Sequence, residues 1–455
     1  MIVGAGEVGF SVARSLSQDG NDVVVVEENP ERASKAENEL DALVVRGNGA
    51  RPNVLEKAGI KPGGEVEMLI ACSSRDEVNI LACWIAKKMG VARVISRAVG
   101  LEFTDTDAWS RELGIDKMVS PERSVAREIE NLLETQGAVY SSEFDETAGI
   151  YAFKVEEDSP ACGTTLLELR KKNPKLVTIV AFVKRGDEGF IPKAADELAA
   201  GDLCYSFCYL DQIQEIAELY QPHKSKRLKR VIIVGAGKVG FQTAFLLHGN
   251  LKGVDVRIIE IDRDKCRRVA GELPKATVLW GDGADEDLLT QEGIENAGGF
   301  VAATDNDEVN LVLASQAKML GARKSIAVIR RKSYMKLVEA MPVDAVVSRN
   351  DALSSMLISA VRYPESASTL AFIDQIGAET LRVSIPDDSP AIGVELKDLP
   401  LPPGSLLGLV KREREAGGLF IPTGKSSLAA GDNVIVFSAL EAVNEVLETL
   451  GVSVD

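Results

Sequence analysis

Gly4-Ala5-Gly6-Glu7-Val8-Gly9-Phe10 returns, past the midpoint of the 455-residue chain, as Gly235-Ala236-Gly237-Lys238-Val239-Gly240-Phe241. Six of the seven residues are identical. Each copy is a Gly-x-Gly-x-x-Gly turn with apolar residues before it and a helix-like run after it. In such a turn the first glycine permits the tight bend and the second lets the backbone approach a pyrophosphate. The third lets the helix pack close on the strand. Free N–H groups at the start of that helix can hold phosphate oxygens. One such motif is weak evidence. The same motif twice, half a chain apart, points to a tandem duplication of a nucleotide-binding unit.

The residues around the first copy agree with this. Asp22 to Glu27 reads as a buried parallel strand ending in a carboxylate. Glu27 lies 18 residues past Gly9, where this fingerprint places the acid that bonds ribose hydroxyls. A carboxylate there favours NAD(H) or a plain adenosine and repels a 2′-phosphate; the plainer reading is a solvated glutamate at a strand end. Pro30 opens a second helix, and Ala42 to Val45 is a third strand followed by Gly47-Asn48-Gly49-Ala50. Glu67 to Ala71 is a fourth strand, after which Ser73 and Ser74 are placed to cap the helix carrying Asn79. Arg93 to Ser96 and Lys117 to Ser120 complete six strand–helix alternations, the pattern of a doubly wound parallel sheet. The strand before Gly4 is only Met1-Ile2-Val3, shorter than a full first strand and leaving no room for a secretory signal.

Near Gln136 the pattern changes to short alternating strands, with Thr164 or Thr165 placed to cap a short helix and Cys204 and Cys208 on one face of a strand. Gln221 to Arg230 has five basic residues in ten and reads as a linker, either a solvated spacer or a contact for an acidic surface or lipid headgroups. Everything then repeats. Glu260 follows Gly240 by 20 residues, Gly281-Asp282-Gly283-Ala284 answers Gly47 to Ala50, and Asp-Glu-Val-Asn recurs at Asp307 to Asn310. Glu-Asp-Ser-Pro-Ala-Cys-Gly from Glu157 returns as Asp-Asp-Ser-Pro-Ala-Ile-Gly from Asp387. The predicted class is α/β: two doubly wound parallel-sheet (Rossmann) domains, each followed by a small α+β domain. The boundaries are 1–137 and 138–220, the linker 221–230, then 231–365 and 366–455.

The formal charge of −17 excludes a general nucleic-acid binder, and no apolar run approaches the length of a membrane helix. Six scattered cysteines without a Cys-x-x-Cys pair read as reduced and mostly buried. Two histidines, His223 and His248, leave too few ligands for a zinc site and no acid–base constellation for hydride transfer. The nucleotide sites look complete and the chemistry absent. That combination describes a sensor rather than an enzyme, one whose ligand shifts a conformational equilibrium.

The paired glycine turns, the acid at the second strand, the Gly-Asn-Gly-Ala and Gly-Asp-Gly-Ala loops, Asp-Glu-Val-Asn and Met118-Val-Ser-Pro-Glu-Arg-Ser-Val-Ala-Arg-Glu-Ile129 together resemble the regulatory subunits of Trk potassium-uptake systems, the TrkA family. The resemblance runs from Met1 to about Leu450, each half similar to an RCK N-lobe and C-lobe. It implies a cytosolic gating ring, peripheral at the inner face of the membrane, assembled as a homotetramer. The ring docks on a TrkH-type potassium-translocating subunit and binds NAD(H) and adenine nucleotides, ATP or ADP. It implies phosphate turns at Gly4, Ala5, Gly6, Glu7, Val8, Gly9 and at Gly235, Ala236, Gly237, Lys238, Val239, Gly240, with ribose acids at Glu27 and Glu260. Asn48 and Asp282 fall near the adenine, and Ser73 and Thr304 in the loop after the fourth strand. The family often carries two arginines two apart after the fifth strand of the first lobe. Arg97 fits the first, Val99 stands at the second, and Arg330 and Arg331 are the basic candidates of the second half. Both the phosphate and the salt-bridge reading of these arginines are open. The alternatives are an RCK-type regulator of another channel or antiporter, and an NAD-dependent oxidoreductase.

Overall fold

The computed structural model describes residues 1–18, 20–61, 63–98, 100, 106–135, 137–144, 147–222, 228–251, 253–331, 334, 338, 340–348, 357, 366–373, 376–412 and 418–452. They form two compact units, Met1–Val125 with Arg349–Val361, and Ala126–Ser348 with Arg362–Asp455.

In the first unit, strands β1 (Ile2–Val3), β2 (Val24–Glu27), β3 (Leu43–Arg46), β4 (Met68–Ala71), β5 (Arg93–Arg97) and β6 (Lys117–Val119) make one parallel sheet in the order β3-β2-β1-β4-β5-β6. Helices α1 (Glu7–Gln18), α2 (Pro30–Glu39), α3 (Pro52–Lys57), α4 (Asp76–Lys88), α5 (Thr106–Leu113) and α6 (Pro121–Glu134) alternate with them. The central strands are Val- and Ile-rich because parallel strands bury both faces. Val25, Val26, Leu69, Ile70, Val94 and Ile95 are all buried. Local chemistry sets the helix starts: the Asn29 side chain accepts from the N–H groups of Glu31 and Arg32, with Pro30 just inside α2. The expected cap on α4 is not found. Its N-terminal flank is Arg75 with no side-chain cap, and Ser73 Oγ instead donates to Asn79 Oδ1 at 2.7 Å.

The second unit holds the repeat. Strands β7 (Ala138–Glu143), β8 (Ala148–Lys154), β9 (Thr164–Thr165), β10 (Thr178–Arg185), β11 (Glu188–Phe190), β12 (Glu197–Leu198) and β13 (Leu203–Tyr209), with α7 (Leu166–Lys172) and α8 (Ile213–Tyr220), form the first small lobe. Thr165 caps α7, and Cys204 and Cys208 are buried, as expected. Its main sheet is antiparallel in the order β11-β10-β13-β8-β7. Then β14 (Arg230–Val234), β15 (Asp255–Glu260), β16 (Thr277–Trp280), β17 (Gly299–Ala302), β18 (Ser325–Ile329) and β19 (Ala345–Ser348) build a second parallel sheet, ordered β16-β15-β14-β17-β18-β19 like the first. Helices α9 (Lys238–Asn250), α10 (Arg263–Glu272), α11 (Glu286–Gln291) and α12 (Asp307–Met319) pack on it. Strands β20 (Ala367–Ile373), β21 (Ala378–Ser384), β22 (Ser405–Lys411), β23 (Leu419–Phe420) and β24 (Asn433–Ala439) repeat the small antiparallel sheet in the corresponding order.

Two packing features were not legible in the sequence. The small lobes face each other over one shared core, in which Phe144, Ile150, Tyr205 and Phe207 meet Ile373, Leu409, Ile435 and Phe437. The rings of Phe182 and Phe437 lie 5.7 Å apart, an aromatic contact distance. A Cβ on Gly408 would sit 2.3 Å from Phe207, so glycine is what lets the sheets close. The second feature is an exchange of chain after the sixth strands. The C-terminal half of α6 belongs to the second unit, where a Cβ on Gly299 would lie 2.2 Å from Leu133. Leu357, beyond β19, is fully buried in the first unit's core with Ile2, Val25, Ile95 and Val119.

A buried ammonium secures the α6 end. Lys324 Nζ donates to the carbonyl of Leu132 and, at 3.0 Å, to that of Thr135. These carbonyls lie at the C-terminal end of α6, where helical partners run out and a cation also opposes the helix dipole. Lys324→Met removes the charged donor from both carbonyls, of which that of Thr135 keeps the Ala138 N–H at 3.2 Å, so urea unfolding of the second unit loses about 2 kcal/mol. A loss under about 0.5 kcal/mol, the range of an ordinary surface substitution, contradicts the capping role.

Candidate functional site

In each parallel sheet the strand order reverses at the first strand, flanked by the second and the fourth. Ligands of open α/β sheets bind in the crevice outside the strand ends at such a switch point. The predicted residues of each half lie on the strand ends, loops and helix starts along this edge.

In the first half Gly4 has φ +100°, and a Cβ there would lie 2.9 Å from the Ser73 backbone. A Cβ on Gly9 would lie 1.9 Å from the Gly4 carbonyl oxygen. Both glycines are therefore required by close backbone approach. Gly6 differs: its Cβ would meet nothing within 4 Å, so its side-chain direction opens into free space. Glu27 closes the turn. Its Oε2 accepts the Ala5 N–H at 2.5 Å and its Oε1 accepts the Asn29 N–H at 2.7 Å, with the residue only 7% exposed. Each carboxylate oxygen has a second lone-pair direction, so this acid can still accept a hydroxyl.

The second half repeats the arrangement. Gly235 has φ +100° with a Cβ 2.6 Å from the Ala303 carbonyl oxygen, Gly240 would clash at 2.0 Å with the Gly235 oxygen, and Gly237 is open. Glu260 accepts from Ala236 N–H at 2.7 Å and Asp262 N–H at 2.9 Å, and is likewise 7% exposed. Asn48 Oδ1 accepts the Ala50 N–H and Asp282 Oδ1 the Ala284 N–H, each at 2.9 Å, so these side chains shape their own loops. Val8 is half-buried and Val239 buried under its turn; Glu7 and Lys238 are exposed on the first turn of their helices.

Asn79 and Asn310 organise the site, and the sequence reading did not place them in it. Asn79 is fully buried; its Oδ1 accepts from Ser73 N–H and Oγ, and its Nδ2 donates to the carbonyls of Ser73 and of Arg97, at 3.0 and 3.1 Å. Asn310 does the same for Thr304 and the carbonyl of Val328. One amide thereby ties the loop after the fourth strand to the end of the fifth. The recurring Asp-Glu-Val-Asn was the available signal.

The two asparagines fix the register of the arginines. Because Asn79 bonds the Arg97 carbonyl and Asn310 the Val328 carbonyl, Arg97 corresponds to Val328. Gly100 N–H donates to Asp76 and Arg331 N–H to Asp307, which fixes the same frame. Arg330 therefore answers Val99, which lies outside the described residues, and each half keeps one of the two arginine positions. Arg97 forms a 2.7 Å ion pair with Glu122 at the start of α6, which is completely buried. Arg330 pairs with the buried Asp307 at 3.3 Å and donates to the Asp305 carbonyl.

Three charge and size differences separate the halves. Glu7 is replaced by Lys238, at the helix start where an anion is favoured. Glu28, whose Oε2 accepts from Asn48 Nδ2 at 3.3 Å, is replaced by Ile261. Arg46, paired with Glu37 at 2.6 Å, is replaced by Trp280. Of the nearby groups, the Cys72 thiol lies under the first turn, where burial pushes its pKa up to about 12. It is no nucleophile at neutral pH. Among the described residues no cluster of His, Cys, Asp or Glu could hold a metal, and no helix is long and apolar enough to cross a membrane.

A family model described as the TrkA-N domain matches residues 1–121 and 231–349, and one described as the TrkA-C domain matches 381–451. The chain is 33% identical over 455 residues to Trk system potassium uptake protein TrkA homolog 1 of Methanosarcina mazei, covering 98% of both. It is 31% identical over 451 residues to the TrkA homolog of Archaeoglobus fulgidus, covering 98% of this chain and 99% of that one. Among solved structures, a GsuK channel bound to NAD aligns with a TM-score of 0.62 at 20% identity, over 99% of this chain and 78% of that one. The GsuK RCK domain aligns at 0.60 and 19% identity, over 99% and 94%. At these identities the structural likeness speaks for the fold.

Proposed function

The chain belongs to the TrkA family of Trk-system potassium uptake proteins, and we propose that it is a cytosolic nucleotide-sensing regulatory subunit of a potassium-uptake system. The carrying observation is the pair of glycine turns, each closed onto a buried glutamate and open at its second glycine, at the two switch points. NAD(H), ATP or ADP is the ligand class that fits: phosphates on the N–H groups of Gly6 to Gly9 and of Gly237 to Gly240, the ribose diol on Glu27 or Glu260, whose carboxylates already hold the Ala5 and Ala236 N–H groups. The channel bound to NAD that shares this fold supports the choice. Ser73, Thr304 and Arg330 stand on the loops around the ligand, with Arg97 at the end of β5.

The protein is a sensor and not an enzyme in this reading. The switch-point loops offer amides, carboxylates and hydroxyls, and neither histidine position lies on them. Ligand binding acts by preferring one conformational state, so its effect on a partner equals its differential affinity for the two states. The exchanged segments give each parallel-sheet lobe a stretch of chain from the other half, a covalent route by which one site can bias the other. The four lobes have the boundaries 1–137, 138–220, 231–365 and 366–455, joined at 221–230. The chain assembles as a homotetramer docked on the cytoplasmic face of a TrkH-type membrane subunit.

Thermal melting with NAD, NADH, ATP and ADP tests ligand binding. A ligand at 100 times its Kd stabilises by about 2.7 kcal/mol, which moves the melting point by several degrees. No shift with any of the four refutes nucleotide sensing. Light scattering should give a mass of four times 48.8 kDa; a stable monomer at micromolar concentration refutes the ring.

A further inference from the structure

The second half exposes two large apolar side chains beside the ribose acid. Ile261 follows Glu260 directly and is 70% exposed; Trp280 is 63% exposed. Trp280 is the parallel-sheet partner of Glu260, so the indole leaves the sheet edge one strand away from the carboxylate. The indole is held in place: its Nε1 donates to the Ile261 carbonyl at 3.0 Å, and the Arg263 guanidinium lies 5.2 Å from the ring centroid. Exposing a Trp and an Ile side by side forfeits their burial energy. A fixed, wet aromatic surface suits a flat apolar ligand with a polar rim. In the first half the same positions are Glu28 and Arg46, spent on Asn48 and on Glu37 and Ser34.

We infer that Ile261 and Trp280 are a stacking platform for the purine of an adenine nucleotide, and that the second half is consequently the tighter adenine-nucleotide site. The inference rests on the nucleotide-sensing reading above. A diphosphate on the Gly235–Gly240 turn with its ribose on Glu260 brings its base over the next loop outward, which is the Ile261–Trp280 edge. Lys238, on the helix that opens the phosphate turn, adds a positive charge where the first half has Glu7. Every base has a π-face, so the platform selects adenine nucleotides over sugar phosphates without reading the base edge.

The experiment is an ADP titration of the full chain carrying Trp84→Phe and Trp109→Phe, so that emission comes from Trp280 alone. ADP should quench it saturably, and ribose 5-phosphate should not. By calorimetry on otherwise native chain, Trp280→Ala should weaken the tighter ADP site about tenfold, Trp280→Arg as much or more, and Trp280→Tyr should restore most of it. An unaltered circular dichroism spectrum establishes that these surface variants fold. ADP binding equally to native chain and Trp280→Ala overturns the platform and leaves the sensing reading standing. Absence of ADP and NAD binding to the native chain overturns both. Emission that follows protein concentration and ignores ADP assigns the indole to contact between copies of this chain and also overturns the platform.

Discussion

Glu260→Ala is expected to lower ADP and NAD(H) affinity of the second half about 100-fold, the combined worth of one or two hydroxyl bonds to a carboxylate at about 1.5–3 kcal/mol each. The effect has two sources. The carboxylate is the acceptor for the ribose diol. It also holds the turn itself, accepting from Ala236 N–H at 2.7 Å and Asp262 N–H at 2.9 Å. Alanine leaves both donors in a 7%-exposed site without a partner, so the phosphate turn loses its anchor as well as the ribose its acceptor. Glu260→Gln separates the two roles. An amide keeps one acceptor oxygen for the turn but lacks the charge, so the fold recovers further than the affinity does. Glu27→Ala should act on the first half in the same way through Ala5 and Asn29. Calorimetry showing native affinity in both alanine variants would remove both glutamates from the binding site.

Asn310→Ala is the second large effect, on stability. The side chain is buried and its amide satisfies the Thr304 N–H, hydroxyl and carbonyl and the Val328 carbonyl. The Thr304 hydroxyl keeps its bond to the Asn306 carbonyl at 3.3 Å, while the Thr304 N–H and the Val328 carbonyl lose the side chain that pairs them. Each costs on the order of 1–3 kcal/mol, and because they relax jointly the sum is about 3 kcal/mol rather than the full total. In urea the second parallel-sheet lobe should unfold first, monitored by emission of Trp280. Asn79→Ala should do the same to the first lobe through Ser73 and Arg97. A loss below about 1 kcal/mol in both would show that the loops after the fourth and fifth strands are held by something else.

These two predictions draw on different amounts of sequence information. Glu260 was assigned from its spacing past Gly240, because the fingerprint encodes a local strand–turn–helix geometry whose clashes can be read residue by residue. The Gly240 Cβ would strike the Gly235 oxygen at 2.0 Å, so the motif is a steric requirement written into the chain. Asn310 was visible as a repeated letter but not as an organiser, because its partners are brought to it by the sheet. The arginines lie between these two cases. Arg330 and Arg331 are the basic candidates of the second half, and the hydrogen-bond frame gives their place: Arg97 answers Val328, and Arg330 answers position 99. The offset of 231 from Gly4 to Gly235, which returns from Asn79 to Asn310, gives the same pairing in the sequence, and the register of β4 with β5 and of β17 with β18 agrees with it.

The sequence by itself determined the duplication, the two parallel sheets, the glycine turns with their acids, and the small lobe behind each. All of these rest on short-range spacing: periods of 2 and 3.6 residues, caps, and turns that only glycine allows. Only the tertiary structure decided what those elements pack against. The apolar stripe of α6, with Val125, Ala126, Ile129, Leu132 and Leu133 all buried, says that the helix is covered and not by which half. The shared core of the small lobes and the place of Leu357 among the first unit's residues are settled likewise. Burial energy is non-directional, so an apolar face is satisfied by any apolar face of fitting shape. The choice between the two copies of a duplicated unit is made by packing across hundreds of residues, which no local pattern contains.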